Sequence, residues 1–533
     1  PGRGIQDNVL LAQELILDLD KKLRHPNVIL KLDMEKAYDR VEWGFLLYML
    51  REFGFKEGVV DLVFRLISNV WFSVLVNGEL TSFFKSTRGV RQGDPLSSTL
   101  FLFVSEFLGR RLQQLVANTP RFRFLTKGGL VPFLAFADDM VIFTRASVDC
   151  LQAVSSLLRE YEILSGQKIN LAKSRFLCSS KIPSDTITLI QQATGFQGQS
   201  WPVRYLGVPL FRGRSRSILF DGVFASVRAK LLHWSSRFLS AGGKIILLRH
   251  VLNSMPIYLL QVSKPPKGIF LRLGRLFNAF LWDGKDGRRI HWSSWEKLCF
   301  PVAEGGLGFR SLLDVEKAFA MKLWWRIRQK NSTWARFMHR KYIGDQHPSS
   351  AEVGVGSAIW KRVCSVRTVA EANFRWRVGE GFVDFWYDRW LFDEPLSSQC
   401  DGEPPHCLVA EFYSSTGWNI ERLLQVLPRS VVNSILQTSV DPALKDELVW
   451  APSTDGRFTV SSAWDLIRQR RNLSLVWRGI WCPLLPLKMS YLVWRILAGF
   501  LPLDDKLRSR GFSLASKCDC CGDSQESLHH IFV

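Results

Sequence analysis

The stretch Phe136-Ala137-Asp138-Asp139 constrains this chain more than any other, because two adjacent carboxylates stand where one apolar run, Val131 to Ala137, hands over to another, Met140 to Phe143. Strand-like runs on both sides predict a β-hairpin whose turn holds Asp138 and Asp139 above a buried sheet. Asp is at home in turns, but hairpin turns more often use Asn-Gly, and two like charges side by side repel unless a cation lies between them. A plain polar turn and a divalent-metal site are both open on this stretch alone.

A further carboxylate bears on the choice. Val28 to Leu32 reads as a buried strand that runs out at Asp33, which aims a carboxylate over the sheet edge. Two strand ends side by side gather two or three carboxylates, a donor set for hard cations and above all Mg²⁺. A pair of such ions suits phosphoryl or nucleotidyl transfer by in-line displacement. Taken alone, Asp33 is equally a helix N-cap ahead of Glu35 and Lys36. Between these elements lies Arg88-Gly89-Val90-Arg91-Gln92-Gly93-Asp94-Pro95-Leu96-Ser97. Its glycines permit close backbone approach, its arginines add cationic reach, and Asp94-Pro95 predicts a helix start with free amide groups. Such a loop suits a triphosphate or a primer strand.

Charge points the same way. The 533 residues carry 70 Lys and Arg against 49 Asp and Glu, a net charge of +21, so a polyanion is the expected partner, nucleic acid before anionic membrane. Between Arg204 and Arg249 nine Lys or Arg face one acid, Asp221, interleaved with Tyr205, Phe211, Trp234 and Phe238, which reads as a phosphate-tracking surface. With 47% hydrophobic residues the chain is not disordered. Ten scattered cysteines do not make a disulfide framework and suggest an intracellular, reducing compartment. The best membrane-span candidate, Ile245 to Val262, is interrupted by Arg249, His250 and Asn253, so no membrane partner is expected. Pro1 without a Met and a patterned end at Val533 read as a fragment of a longer polypeptide.

The local pattern is α+β. Helices are expected over Asp7 to Leu23, Glu42 to Phe53, Val59 to Ile67, Leu96 to Leu115 and Cys150 to Leu164, and Phe72 to Phe84 forms a hairpin around Asn77-Gly78. Ser217 to Leu281 and Val315 to Ile343 turn mainly helical. Trp-rich Asn373 to Leu396 reads as short strands or turns, Asp393 to Pro405 as a linker, and Phe458-Thr459-Val460 as a strand before a helical tail. Four regions are expected: 1–210, 211–345, 346–446 and 447–533.

Asp33-Met-Glu-Lys-Ala-Tyr38-Asp39, Arg91 to Ser97, Phe136 to Asp139, Ser165-Gly166 with Asn170 and Lys173-Ser174, and Tyr205 to Leu210 occur in an order that resembles the reverse transcriptases of LINE-type non-LTR retrotransposons, plant ones especially. The resemblance implies a right-hand polymerase of fingers, palm and thumb, with an antiparallel palm sheet and mostly helical thumb and C-terminal regions. It implies catalytic, magnesium-holding Asp33, Asp138 and Asp139, with two Mg²⁺ and the Met34 carbonyl as a further ligand. Tyr38 would be a steric gate against a 2′-hydroxyl. Arg91, Gln92 and Gly93 would belong to the nucleotide pocket, and Lys173 would donate a proton to pyrophosphate. Glu35 and Asp39 would be structural. The implied partners are an RNA template, a DNA primer or target DNA, and dNTPs, with synthesis in the cytoplasm and action in the nucleus. Tyr205 to Leu210 would be the primer grip, and the basic helical segment after it the thumb. In such elements an endonuclease and a first fingers segment precede this region, and the fingers usually supply basic contacts to the triphosphate.

Glu304-Gly305-Gly306-Leu307-Gly308 and the Trp-rich segment also resemble plant elements of this kind, with no role derivable from sequence. Cys518 and Cys521 have metal-ligand spacing and His530 follows, which resembles the zinc-binding region after these reverse transcriptases. Three ligands of four, with Cys520 as a substitute, predict weak Zn²⁺ binding. The rival to an RNA-directed DNA polymerase is a catalytically inactive, RNA-binding remnant or domesticated protein; an intron-type maturase would need a different thumb.

Overall fold

The computed structural model of the protein describes residues 4–233, 239–282, 290–354, 356–400, 402–414 and 417–532. The chain divides into two compact units, one of residues 1–213 with 326–360 and the other of 214–325 with 361–533. Residues 326–345, grouped from sequence with the basic helical segment, pack within the first unit.

The first unit is α+β. Its apolar strand β1 (Asn27–Leu32) lies in the middle of a sheet whose remaining strands are β6 (Phe133–Phe136), β7 (Asp139–Arg145), β8 (Arg175–Leu177) and β9 (Gln197–Gly198), in the order β6-β7-β1-β8-β9. The pairs β6·β7, β7·β1 and β1·β8 are antiparallel, as expected, whereas β9 adds to the edge in parallel. Val28, Leu30 and Leu32 point into a core shared with α2 (Trp43–Glu52), α3 (Glu57–Ser68), α4 (Pro95–Asn118) and α5 (Val148–Ser165). Helix starts and stops follow local chemistry. The Asp94 carboxylate accepts the Leu96 amide at 2.8 Å with Pro95 in the first turn, and Gly166 closes α5 in the left-handed region at φ 72°. Four short strands, β2 (Trp71–Phe72), β3 (Leu75–Val76), β4 (Glu79–Leu80) and β5 (Phe84–Lys85), build the hairpin around Asn77-Gly78, both at positive φ as that turn requires.

In the second unit a strand of Phe374–Arg377 pairs antiparallel with Glu447–Trp450. Phe458-Thr459-Val460 is therefore not the strand: Thr459 accepts the Ser462 amide and caps a helix over Val460–Ile467. Capping a helix start is as natural to a threonine as β structure, and sequence pattern alone favours the latter. Asp393 to Pro405 is not a free linker either, because Leu396 is buried with Phe385, Trp386 and Trp390 in one core and the Tyr387 hydroxyl donates to the Pro404 carbonyl at 2.8 Å. The Trp-rich segment thus supplies that core, with Phe385 stacked on Phe412 at 4.1 Å between centroids. Residues 241–262 are, by length and composition, helical and apolar enough to cross a membrane, contrary to expectation. Ile245, Leu248, Leu252 and Leu260 are nonetheless buried within the unit, and Asn253 donates to the Arg310 carbonyl at 3.0 Å, which makes the run a core element here.

Candidate active site

The sheet register brings the three aspartates to one place. Leu32 pairs with Met140, so Asp33, one residue beyond β1, comes level with Asp139, the first residue of β7. Phe136 pairs with Asp139 across a two-residue turn of Ala137 and Asp138, with Ala137 held at φ 51°. Asp139 thus stands in the strand, one position inside the turn expected from sequence, and is half-buried, while Asp138 is exposed at the tip. Burial pushes the Asp139 carboxyl above the ordinary carboxylate range; Lys31 opposes the shift, and Asp138 and Asp33 each add to it. A partly dehydrated carboxylate acted on by two further carboxylates is one that a hard cation would relieve.

Asp33 is positioned by its neighbours on both sides of the chain. Its amide donates to the Ser174 hydroxyl at 3.1 Å, and its carbonyl accepts the Asn170 amide at 2.9 Å. Met34 bridges to Ile169, and the Lys173 amide folds back onto the Asn170 carbonyl and side chain, both at 3.1 Å, leaving Lys173 itself exposed. Ser165-Gly166-Gln167 braces the next turn: Glu42 donates to the Ser165 carbonyl at 3.0 Å, and Gln167 donates to Ala37 at 2.8 Å. A side chain at Gly166 would meet the Arg40 carbonyl at 2.6 Å, which explains why this position holds glycine. Glu35 pairs with Lys168 at 3.6 Å.

The loop of Arg88 to Gly93 docks on the opposite side. Val90 donates to the Tyr38 carbonyl and Gly89 to the Val41 carbonyl, both at 2.8 Å, and the Trp43 indole donates to the Gly89 carbonyl at 2.7 Å. These bonds place Arg91, Gln92 and Gly93, all exposed, beside the Tyr38 turn. The Tyr38 ring is stacked on Phe101 at 5.1 Å, a fixed bulky wall.

Lys31 is the residue that sequence reasoning missed. It interrupts the apolar run of β1 two positions before Asp33, a spacing that puts both on one face of the strand, and period-two counting alone would have flagged it. Its ammonium donates to the Arg204 carbonyl at 3.2 Å, tying the sheet to a hairpin of Val203–Tyr205 and Val208–Leu210 with Leu206-Gly207 as its turn. Of the basic stretch that starts there, Arg212 is paired with Asp20, Lys244 is buried, and Arg249 donates to the Leu307 carbonyl, so these three are engaged internally. Arg214, Arg216, Arg228 and Lys230 are exposed, while Trp234 and Phe238 lie outside the described residues.

A second donor set sits in the tail. Cys518, Cys521 and His530 offer ligand atoms that all lie within 4.8 Å of one another, the spread of a tetrahedral zinc site. The Cys518 carbonyl accepts the Gly522 amide at 2.8 Å in a tight turn with Gly522 at φ 75°, and the Cys521 sulfur approaches His530 Nε2 at 3.2 Å. Backbone amides of Asp523 and Ser524 and the His530 ring lower the Cys521 thiol to about 6, whereas Cys518 raises Cys520. A thiolate pair with an imidazole fits zinc, and Cys520 is the poorer ligand.

Two regions of the chain match known families. Residues 1–210 match the family described as reverse transcriptase (RNA-dependent DNA polymerase), and residues 458–533 the one described as zinc-binding in reverse transcriptase. The chain thus carries a reverse transcriptase domain and a zinc-binding region of the kind found in reverse transcriptases, and several of its relatives are named as retrotransposon proteins. It is 24% identical over 281 residues, 51% of this chain and 45% of the other, to a retrovirus-related Pol polyprotein from the type-1 retrotransposable element R2 of Popillia japonica. A putative ribonuclease H protein of Arabidopsis thaliana is 27% identical over 342 residues, 61% of this chain and 55% of that one. The chain spans about half the length of these curated relatives. A solved telomerase from Candida albicans, in complex with a fragment of telomeric RNA, is 14% identical over 52% of this chain and 47% of that one, at a TM-score of 0.30.

Proposed function

We propose that this chain carries the RNA-directed DNA polymerase centre of a non-LTR retrotransposon protein, adding dNTPs to a DNA primer on an RNA template. The observation that carries the reading is the sheet register, which brings Asp33 at the end of β1 level with Asp139 at the start of β7, beside Asp138 in the turn. These carboxylates, with the Met34 carbonyl, would hold magnesium, which supplies Lewis-acid activation of a 3′-hydroxyl and neutralises pyrophosphate. In this reading the five-stranded sheet is the palm, the hairpin with α3 belongs to the fingers, and the basic helices after Arg214 are the thumb. Tyr38, backed by Phe101, excludes a 2′-hydroxyl by bulk. Arg91, Gln92 and the bare backbone of Gly93 bind the triphosphate and orient it towards the carboxylates. Lys173, exposed on the loop that holds Asp33, would give a proton to the leaving pyrophosphate. Cys518, Cys521 and His530 would hold zinc and fix the tail turn, where nucleic-acid contact in the nucleus is the proposed role.

Primer extension on an RNA template with Mg²⁺ tests this reading. Extension should occur and vanish in Asp138→Ala with RNA binding retained. RNA binding without extension by the unaltered chain would instead identify an inactive RNA-binding remnant.

A further inference from the structure

Alternation along β1 and β7 defines one face of the sheet. Ile29, Lys31 and Asp33 follow at every second position, Phe143 and Val141 stand opposite the first two, and Asp139 comes level with the third. Val28, Leu30 and Leu32 point the other way, into the core under the helices. The hairpin of Val203–Tyr205 and Val208–Leu210 covers this face. Val203, Tyr205 and Leu210 share with Ile29, Val141 and Phe143 the lining of a void of only about 10 Å³, room for one water at most, so the two surfaces are closely packed. Lys31 and Val141 form the last row at that void. The carboxylates of Asp33 and Asp139 begin one row further, two residues or about 7 Å along the strands. Whatever reacts at them has the flank of the hairpin for a neighbour.

Lys31 is the one charged side chain lining the void, and its ammonium donates to the Arg204 carbonyl at 3.2 Å, across 173 positions. That acceptor is open to it for a structural reason. With Leu206-Gly207 as a two-residue turn, Tyr205 and Val208 form the closing hydrogen-bonded pair, so Arg204 and Pro209 form a non-bonded pair and the Arg204 carbonyl points away from its partner strand. Arg175, directly across from Lys31, donates instead to the Ser174 carbonyl at 2.8 Å, so of two like charges set side by side Lys31 is the one that crosses to the hairpin. The turn it secures is strained. Leu206 is held at φ 47° and Gly207 at 78°, where Asn-Gly is the usual choice, and such a leucine persists only where its surroundings hold it. Beyond the hairpin's other strand Arg212 is paired with Asp20, so the hairpin stays attached even without Lys31. We infer that Lys31 is a positioning residue: it fixes the flank of the hairpin against the strand that carries Asp33, and that flank aligns a primer end brought to the carboxylates. The inference rests on the polymerase reading above.

The test compares the whole chain with its Lys31→Met variant, which keeps the stem and removes the donor, by hydrogen exchange and by primer extension on an RNA template with Mg²⁺. Peptides spanning 203–210 should exchange about fivefold faster in the variant, the scale of one lost hydrogen bond at an exposed site, while those of β1 and β7 keep their rates. Extension should lose about tenfold in kcat with the KM for dNTP unchanged, the mark of a misaligned reacting end and not of weakened nucleotide binding. Lys31→Arg, which still reaches the carbonyl, should restore both. Lys31→Gln, whose amide stops short of it, should behave as Lys31→Met and takes its place if the methionine chain aggregates. The inference is overturned if exchange over 203–210 is the same in the unaltered chain and in both variants, or if kcat holds while the hairpin loosens. It is also overturned if the KM for dNTP rises with kcat intact, which would put Lys31 on the nucleotide. Recovery of kcat in Lys31→Arg with 203–210 still loose overturns it as well, since charge alone would then be the contribution of Lys31. Extension absent from the unaltered chain, with the exchange pattern as expected, would sink the polymerase reading and leave Lys31 standing as the tether of the hairpin.

Discussion

Asp139 is held in conflict: half-buried, level with Asp33 and next to Asp138, it has Lys31 as the one nearby cation acting on it. Its folded pKa lies above its unfolded one, so the folded state binds more protons in that window and stability falls as pH rises through the folded value. Asp139→Asn should therefore raise the melting temperature in metal-free buffer, more at pH 8 than at pH 4, while cutting primer extension by about 10⁴-fold, the scale on which one member of a catalytic set acts. Scanning calorimetry at the two pH values beside an extension assay checks both halves; a loss of stability at pH 8 would refute the electrostatic account. Cys521 presents the opposite case. With its thiol lowered to about 6 and that of Cys520 raised, iodoacetamide at pH 7 should label Cys521 well before Cys520 in the metal-free protein. Added Zn²⁺ should protect Cys518 and Cys521 and leave Cys520 reactive, as peptide mass mapping would show.

At the scale of elements, the turn of Tyr38 to Val41 and the loop of Arg88 to Gly93 work as one piece, and Gly89 is where they touch. Gly89 and Gly93 have nearly the same φ, 89° and 92°, but a Cβ on Gly89 would lie 2.7 Å from the Asp39 carbonyl, whereas at Gly93 it would meet nothing within 4 Å. Gly93→Ala should cost only the backbone strain, about 1 kcal/mol, and Gly89→Ala about 2–3 kcal/mol because the loop must also shift. Urea unfolding gives the difference, and only Gly89→Ala should carry away the Val90–Tyr38 bond and so displace Gln92. Local chemistry of this kind was legible beforehand. The Asp94 cap, the Asn77-Gly78 turn and the Gly166 stop all form where their residue types predict, because each depends on contacts within a few residues. Thr459 shows the limit, since a β-branched run and a capped helix start look alike until the partner of Phe374–Arg377 proves to be Glu447–Trp450. The Glu304 to Gly308 motif shows it again. Glu304 holds Arg468 at 2.7 Å, the Gly305 carbonyl accepts the Trp494 indole at 3.0 Å, and a side chain on Gly306 would collide with the Phe300 carbonyl. Its glycines serve as a socket for the zinc-region helices, a role fixed by partners more than 160 positions away.

For the whole molecule, the reverse transcriptase unit is not finished by its own first 213 residues, because 326–360 return to it. The first helix, α1 (Ile5–Leu15), and the turn after it place Asp7, Glu14 and Asp18 on one buried side, at 2%, 0% and 6% exposure. Each finds its counter-charge in the returning segment. Arg326 meets Asp7 at 2.6 Å, Lys341 reaches Glu14 at 3.2 Å and Asp18 at 3.5 Å, and the Tyr342 and Ser357 hydroxyls donate to Glu14. No pattern in the sequence announces pairings across 319 to 343 positions; three acids on an apolar helix were the only trace. Removing one partner of a buried ion pair costs about 3–5 kcal/mol, since the other is left charged in a dry place, whereas neutralising both can be nearly free. Lys341→Met should thus destabilise the chain by about that amount, and Glu14→Gln added to it should restore a substantial part, a coupling that a double-mutant cycle in urea reads directly. Because α1 also braces the hairpin of Asp138 and Asp139, with Asn8 donating to the Ala135 carbonyl at 2.9 Å, Lys341→Met should lower the proposed extension activity at temperatures where the unit is still folded. Full activity in a destabilised Lys341→Met chain would mean that the returning segment stabilises the unit without setting the geometry of Asp138 and Asp139.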